Sequence, residues 1–242
     1  MKERGNNVLN LSQRLLALAR LVPQGSRVAD IGTDHAFLPC YLVKEGIASF
    51  VIGVDVHEGP YQAACRTVRA YNVAEQVEIR RGDGLTALMP GEVDVVIIAG
   101  MGGSTGRDIL ENSPQVVEKL KKMIFQPMNG ADVVRRWLSE HNWVITGEDI
   151  IYEDKRLFVV IAAEKGERTA LTEEEIHYGP LLIKMRHPLL QEVLQKDIEA
   201  MQEILKQLAK SQNQESRVKV NEFTRKIHMA KGLQEWLFAA KQ

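Results

Sequence analysis

The chain has 242 residues, 45% hydrophobic and 26% charged, with a formal net charge of −1 and an isoelectric point near 6.6. That length suits one α/β domain plus an appendage, and the near-neutral charge excludes a protein that grips nucleic acid with its whole surface, so any RNA contact must come from local patches. Two cysteines, Cys40 and Cys65, exclude a disulfide framework and fit a reducing cytoplasm. No apolar signal core opens the sequence, and no run reaches the ~20 apolar residues of a membrane span.

Residues 10–22 read as a helix capped by Asn10 or Ser12, with Leu11, Leu15, Leu18 and Val22 as its apolar stripe; Pro23 and Gly25 end it. Strands and helices then alternate. Residues 27–31 form a strand. Residues 37–44 form a helix with Pro39 in its first turn and Gly46 past its end. A strand at 50–55, a helix at 60–71 closed by Asn72, and a strand at 77–80 follow. Residues 93–98 are the most apolar strand, as a central one covered on both faces should be. Residues 105–121 hold one or two helices broken near Pro114. A strand at 123–126 and a helix at 131–141 precede two final strands, 143–152 and 157–163, around a polar turn at Glu153-Asp154-Lys155. Repeated βαβ units predict a mostly parallel, Rossmann-like sheet with helices on both faces, and the closing hairpin predicts one antiparallel strand at the end. Cys40, Cys65, Trp137, Trp143 and Trp236 all read as packing residues.

Beyond Lys165 no β-rich segment follows. Leu194, Ile198, Met201, Leu205 and Leu208 are spaced four, three, four, three, a coiled-coil seam, and a polar stretch at 211–216 interrupts it. Val220, Phe223, Ile227, Ala230 and Leu237 make a second stripe. Either two antiparallel helices form a hairpin, or both merely pack on the main domain. The expected division is a domain over 1–165 and a helical hairpin over 166–242. The tail's basic side chains (Lys206, Lys210, Arg217, Lys219, Arg225, Lys226, Lys231) are nearly balanced by acids.

Ligands of doubly wound sheets bind beyond the carboxyl ends of the strands, and four motifs fall there. The first is Asp30-Ile31-Gly32-Thr33-Asp34-His35. It is a Rossmann turn lacking two glycines of G-x-G-x-x-G and carrying a carboxylate inside the turn. Two like charges about 4 Å apart repel by roughly 4 kcal/mol at an effective dielectric near 20, so Asp34 argues against a pyrophosphate and for a cofactor without one. S-adenosylmethionine (SAM) has no phosphate and carries a sulfonium and an ammonium. Gly32 permits close backbone approach. Asp30 or Asp34 binds the ammonium, or Asp34 is only a helix cap; His35 is either catalytic or a polar group near a helix start. The second motif, Gly53-Val54-Asp55-Val56, offers an acid for two ribose hydroxyls, which NAD enzymes share. The third, Gly82-Asp83-Gly84, either receives an adenine amine or is a plain Asp-Gly turn. The fourth, Ala99-Gly100-Met101-Gly102-Gly103, follows the central strand, where the methyl acceptor should lie. Its glycines leave room for a flat base or make a loop that closes over the cofactor. The Asn/Asp-Pro-Pro-Tyr motif of exocyclic-amine methylators is absent. Neither metal-ligand spacing nor a phosphate-cradling G-x-x-x-x-G-K-[ST] is visible.

Together these motifs resemble the bacterial tRNA (adenine-22-N1)-methyltransferases, the TrmK family. The resemblance runs through Leu11-Ser12-Gln13-Arg14-Leu15, 28–36, Gly82-Asp83-Gly84-Leu85, Ile98-Ala99-Gly100-Met101-Gly102-Gly103, Gln126-Pro127, Arg135-Arg136-Trp137-Leu138 and 163–166, covering nearly the whole chain. The Asp-His turn and the Ala-Gly-Met-Gly-Gly loop are its specific parts. It implies a class I SAM-dependent methyltransferase with a C-terminal coiled-coil hairpin, acting in the cytoplasm as a monomer on N1 of a tRNA adenine. Asp34 and His35 are then the catalytic candidates. Asp30, Gly32, Thr33, Asp55, Val56, Gly82, Asp83, Gly84, Ala99, Gly100, Met101 and Gly102 are those for the cofactor. Arg14, Gly103, Gln126, Pro127, Arg135 and Arg136 are those for tRNA, with Lys155 and Arg156 as further phosphate partners. Competing readings are a SAM enzyme acting on another RNA position, a small molecule or a protein, an NAD-dependent oxidoreductase, and an RNA-binding scaffold without activity.

Overall fold

The computed structural model describes residues 9–167, 170–209 and 214–239, which fall in two compact units, Met1–Ala170 and Leu171–Gln242.

In the first unit, Ser12 is the cap of α1 (Gln13–Arg20): its hydroxyl accepts the Leu15 N–H at 3.4 Å. Alternation then proceeds through β1 (Ser26–Ile31), α2 (Phe37–Lys44), β2 (Ala48–Asp55), α3 (Glu58–Ala70) and β3 (Val77–Arg81). A 3₁₀ turn (Gly84–Ala87) leads to β4 (Val95–Met101), followed by α4 (Gly103–Glu111), α5 (Pro114–Lys119), β5 (Lys122–Pro127), α6 (Ala131–Glu140), β6 (Trp143–Glu153) and β7 (Arg156–Lys165). The predicted helix at 37–44 matches α2 at both ends. The helical stretch after β4 does break at Pro114, which opens α5.

The seven strands form one sheet in the order β3-β2-β1-β4-β5-β7-β6, the first five parallel. The antiparallel strand, β7, pairs with both β5 and β6, so it lies one place inside the edge and β6 is the edge. The burial of each strand accounts for this order. Val160–Ala163 of β7 are wholly buried, as an interior strand requires, whereas β6 is buried only at intervals. A two-residue turn joins them. Asp154 and Lys155 have φ of 48° and 62°, the left-handed pair that a tight hairpin with matched twist demands.

Alternate residues along the strands feed two cores. Val28, Val51, Val95 and Ile97 pack under α1, α2 and α3. Ala29, Ile52, Val96 and Ile98 pack with residues of α4, α5 and α6, including Trp137. The register sets Ile31 beside Val54 and Ile98, which brings the ends of β1, β2 and β4 together.

The second unit contains α7 (Glu173–Tyr178), α8 (Pro180–Lys184), α9 (Leu190–Leu208) and α10 (Gln214–Ala239). Thr172 and Glu175 close a capping box on α7. With six and five residues, α7 and α8 are too short to show a periodic stripe, and the sequence reading has neither. Leu190, Leu194, Ile198 and Met201 of α9 are buried, as is Ala230 of α10. Gln234, late in α10, donates to Gln195, early in α9, so the two helices run antiparallel. Trp137 and Trp143 are buried, but Trp236 is 45% exposed beneath the Arg186 guanidinium, 4.3 Å from its ring centroid. It is a cation–π platform rather than a core residue. Lys210 and residues 211–213 lie outside the described residues.

Candidate active site

The turn after β1 is built by the backbone. The N–H groups of Gly32 and Thr33 both donate to the Val54 carbonyl (2.8 and 3.0 Å), which pins the end of β1 to β2. Gly32 has φ of +76°, and a Cβ there would lie 2.4 Å from the Met101 methyl. Both the left-handed conformation and the close approach of Met101 require glycine. Asp34 and Ala36 also take left-handed φ (46° and 55°), which is uncommon and costly for non-glycine residues. Ala36, without a side-chain bond, is the N-cap of α2, so Asp34 is not the cap. The Asp34 carboxylate instead points outward, 66% exposed, 3.7 Å from His35 Nε2.

Asp30 is buried and accepts the Thr33 hydroxyl at 2.8 Å. Burial pushes its carboxyl up to about 6; the Thr33 bond opposes this, the Asp55 charge adds to it, and the Arg14 charge lowers it. Asp55, 9% exposed, accepts from His57 N–H (2.9 Å) and, more weakly, from Asp34 N–H (3.4 Å). Among the described residues neither acid makes an ion pair. Two neighbouring carboxylates without a bonded cation suit a ligand that brings positive charge, which would favour their ionised forms. This donor set fits SAM.

Arg14 closes one side. Its guanidinium donates to Gln126 Oε1 (2.6 Å) and lies 3.8 Å from Glu153, and its own N–H donates to the other Glu153 oxygen (3.2 Å). A cleft of about 280 Å³ is lined by Arg14, Leu15, Asp30, Gly32, Thr33, Asp34, His35, Phe37, Leu38, Ala99 and Gly100. The structure thus brings together most of the first motif, Arg14 and the start of the fourth. Sequence reasoning missed Leu15, Phe37 and Leu38. The signal for Phe37 was an aromatic residue two places after His35, at a helix start that offers it no cover.

Other candidates lie around the cleft. Gly82 N–H donates to the Asp55 carbonyl (3.0 Å), and the exposed Asp83 side chain makes no hydrogen bond among the described residues. Val56 is 48% exposed. Met128 N–H donates to Met101 and Gly103 N–H to Asn129 (both 2.8 Å), locking the glycine-rich loop to the end of β5. Three substrate candidates need correction. Gln126 is fully buried, and it holds Arg14 rather than reaching outward; Pro127 is buried beside it. Arg135 is 1% exposed and donates to Glu148 at 2.7 Å, so it cannot meet a phosphate at the surface. Arg136, Lys155 and Arg156 are exposed.

A larger cavity, about 490 Å³, is lined by residues that include Val117, Trp137, Trp143 and Lys165, by the start of β6 and the end of β7; it holds none of the strand-end motifs. Among the described residues no three His, Cys, Asp or Glu side chains are grouped to hold a metal, and no helix is long and apolar enough to cross a membrane.

The family model described as tRNA (adenine(22)-N(1))-methyltransferase, TrmK, matches residues 28–232. The tRNA (adenine(22)-N(1))-methyltransferase of Bacillus subtilis is 32% identical over 231 residues, covering 93% of this chain and 97% of that protein. The crystal structure of the B. subtilis m1A22 tRNA methyltransferase TrmK superposes with a TM-score of 0.88 at 30% identity, over 93% of this chain and 99% of that one. M. capricolum TrmK, solved with S-adenosyl-homocysteine, superposes at 0.80 with 27% identity, over 93% and 98%. With the family model matching residues 28–232 and a relative 32% identical over 93% of this chain, the chain belongs to the TrmK family of tRNA (adenine(22)-N(1))-methyltransferases.

Proposed function

We infer that this protein transfers a methyl group from SAM to N1 of adenine 22 in tRNA. The observation that carries the reading is the buried Asp30 lining a cleft with Gly32 and Gly100, with Asp55 behind it holding the Asp34 N–H and neither acid ion-paired among the described residues, in a chain of this family. When bound, SAM supplies an electrophilic methyl on a sulfonium. Asp55 holds the ribose hydroxyls and Asp30 faces the ammonium, with Gly32, Thr33, Val56, Gly82–Gly84 and Ala99–Gly102 forming the rest of the cofactor wall. Adenine N1 carries a free lone pair, so no base need remove a proton before attack. Catalysis then rests on orientation and electrostatics.

The methylated ring carries positive charge, and we assign its stabilisation to the Asp34 carboxylate, which is exposed at the cleft. Replacing Asp34 with Asn should lower the methyl-transfer rate by roughly ten- to a hundredfold, the scale of one lost electrostatic contact, while SAM affinity changes little. Single-turnover rates and calorimetry on the variant separate the two; equal losses in both would make Asp34 a cofactor ligand.

N1 lies on the Watson–Crick edge, so the base must leave its pairing at a cost of a few kcal/mol, recovered through backbone contacts and stacking. We assign Arg14, Arg136, Lys155 and Arg156 to phosphates near the site. The methyltransferase domain is the unit Met1–Ala170, five residues longer than the expected 1–165, and the helices of the unit Leu171–Gln242 grip tRNA through exposed cations such as Arg217, Arg225 and Lys231. On this reading the enzyme works as a monomer in the cytoplasm, where tRNA is. Deleting 171–242 should weaken tRNA binding at least tenfold, the effect of losing one or two phosphate contacts, and leave SAM binding intact. Filter binding and calorimetry on the truncated protein test this, and unchanged tRNA affinity rejects it.

The deciding experiment incubates the purified protein with labelled SAM and unmodified bacterial tRNA, then locates the methylated nucleoside by mass spectrometry. 1-Methyladenosine at position 22 is the expected product. Methylation at another base, or of protein alone, sinks the assignment.

A further inference from the structure

Phe37 opens α2 yet contributes nothing to the core beneath that helix. Leu38, Cys40, Leu42 and Val43 are buried there, while Phe37 stays 43% exposed. Its ring stacks on His35, with centroids 5.6 Å apart and planes 24° from parallel, and the His35 side chain is itself 54% exposed. Both rings line the cleft that holds Asp30 and Gly100. The left-handed residues on either side of His35, Asp34 and Ala36, fix how this pair is presented. At Gly100 an added Cβ would meet nothing within 4 Å, so the cleft is open there. Two stacked rings at the mouth of a cleft, beside open space, form a platform for a flat π-system.

We propose that His35 and Phe37 are the ledge on which the target adenine stacks once it has left its helix. This rests on the reading of the cleft as an adenine methyl-transfer site. The position favours the acceptor base over the cofactor's own adenine. Asp55 and Asp83, the acids suited to ribose and adenine of the cofactor, end β2 and follow β3, whereas the ledge follows β1 and shares its cleft with Ala99 and Gly100 at the end of β4. Stacking tolerates any base, so the ledge supplies affinity for the flipped base, and the choice of adenine falls to groups at its edge.

The test uses the full-length enzyme with Phe37→Leu, Phe37→Tyr and His35→Ala. Losing one stacking surface should raise KM for tRNA on the order of tenfold or more in Phe37→Leu, and in the same direction in His35→Ala, with Phe37→Tyr close to wild type. The affinity for SAM should stay unchanged in all three. A second readout is tRNA carrying 2-aminopurine at position 22, bound in the presence of S-adenosyl-homocysteine. Stacking quenches this fluorophore, so its emission should be higher with Phe37→Leu than with wild type or Phe37→Tyr. Wild-type KM and emission in Phe37→Leu would overturn the proposal, as would a matching loss of SAM affinity, which would make Phe37 a cofactor-packing residue. If wild-type enzyme leaves adenine 22 unmethylated, the reading of the site has failed first; if it methylates adenine 22 and Phe37→Leu behaves as wild type, only the ledge has failed.

Discussion

Arg135→Ala should destabilise the first unit by about 3–5 kcal/mol, the usual cost of stranding one member of a buried ion pair. Arg135 and Glu148 are 1% and 0% exposed at their side chains and 2.7 Å apart, so removing the guanidinium leaves a carboxylate in the core, facing α6 from β6. At about 2–4 °C per kcal/mol for a unit of this size, the melting temperature should fall by roughly 6–20 °C. Replacing both residues, Arg135→Met with Glu148→Leu, should recover most of the loss, because the buried carboxylate goes too. Thermal melts of the single and double variants measure this. A single variant that melts like wild type but binds tRNA poorly would return Arg135 to the surface role suggested by its sequence context.

Gly103→Ala should be the most damaging one-carbon change near the cleft. A Cβ at 103 would sit 1.9 Å from the Gly130 carbonyl oxygen and 2.7 Å from its carbon, and these are backbone atoms that no rotamer can move. The start of α4 and the loop before α6 must then separate, breaking the Gly103 N–H bond to Asn129. The Ala99–Gly102 loop would move with them. A displacement of about 1 Å in a reacting geometry costs on the order of a hundredfold in rate, so methyl transfer should fall at least that far. Gly232→Ala is the matched control. Nothing lies within 4 Å of its added carbon, and it should be neutral or stabilise α10 by up to about 1 kcal/mol. Wild-type rates in Gly103→Ala would show that the two loops part without disturbing the cleft.

The parallel sheet was legible because its grammar is local. Pro39 and Gly46 bracket α2, and the apolar run at 95–98 announces a central strand. The strand-end acids were legible for a topological reason: any sheet of this order gathers the ends of β1, β2 and β4. The glycines of 100–103 read as loop, yet β4 continues to Met101, since pairing with β5 continues through a register shift to Met101 and Pro127. Side-chain fates that depend on distant partners were harder. Arg135 stands at helical spacing with Ala131, Val134 and Leu138, so its inward face could have been read, but its partner Glu148 lies on a strand whose neighbours the sequence does not name. Gln126 looked like a substrate residue because the chain gives no hint that Arg14, 112 positions earlier, would cover it.

The same long reach governs when the cleft comes into being. Arg14 leaves the ribosome well before Glu153, which holds both its backbone N–H and its guanidinium and follows 139 residues later. Closing a loop that long is entropically slow and is deferred until β6 and β7 exist to reward it. The acids of β1 and β2 can therefore be in place on a nascent chain while α1 is still unpinned. Cofactor capture and a finished cleft wall become separate events in biogenesis, with the last hairpin acting as the clasp that ends the sequence.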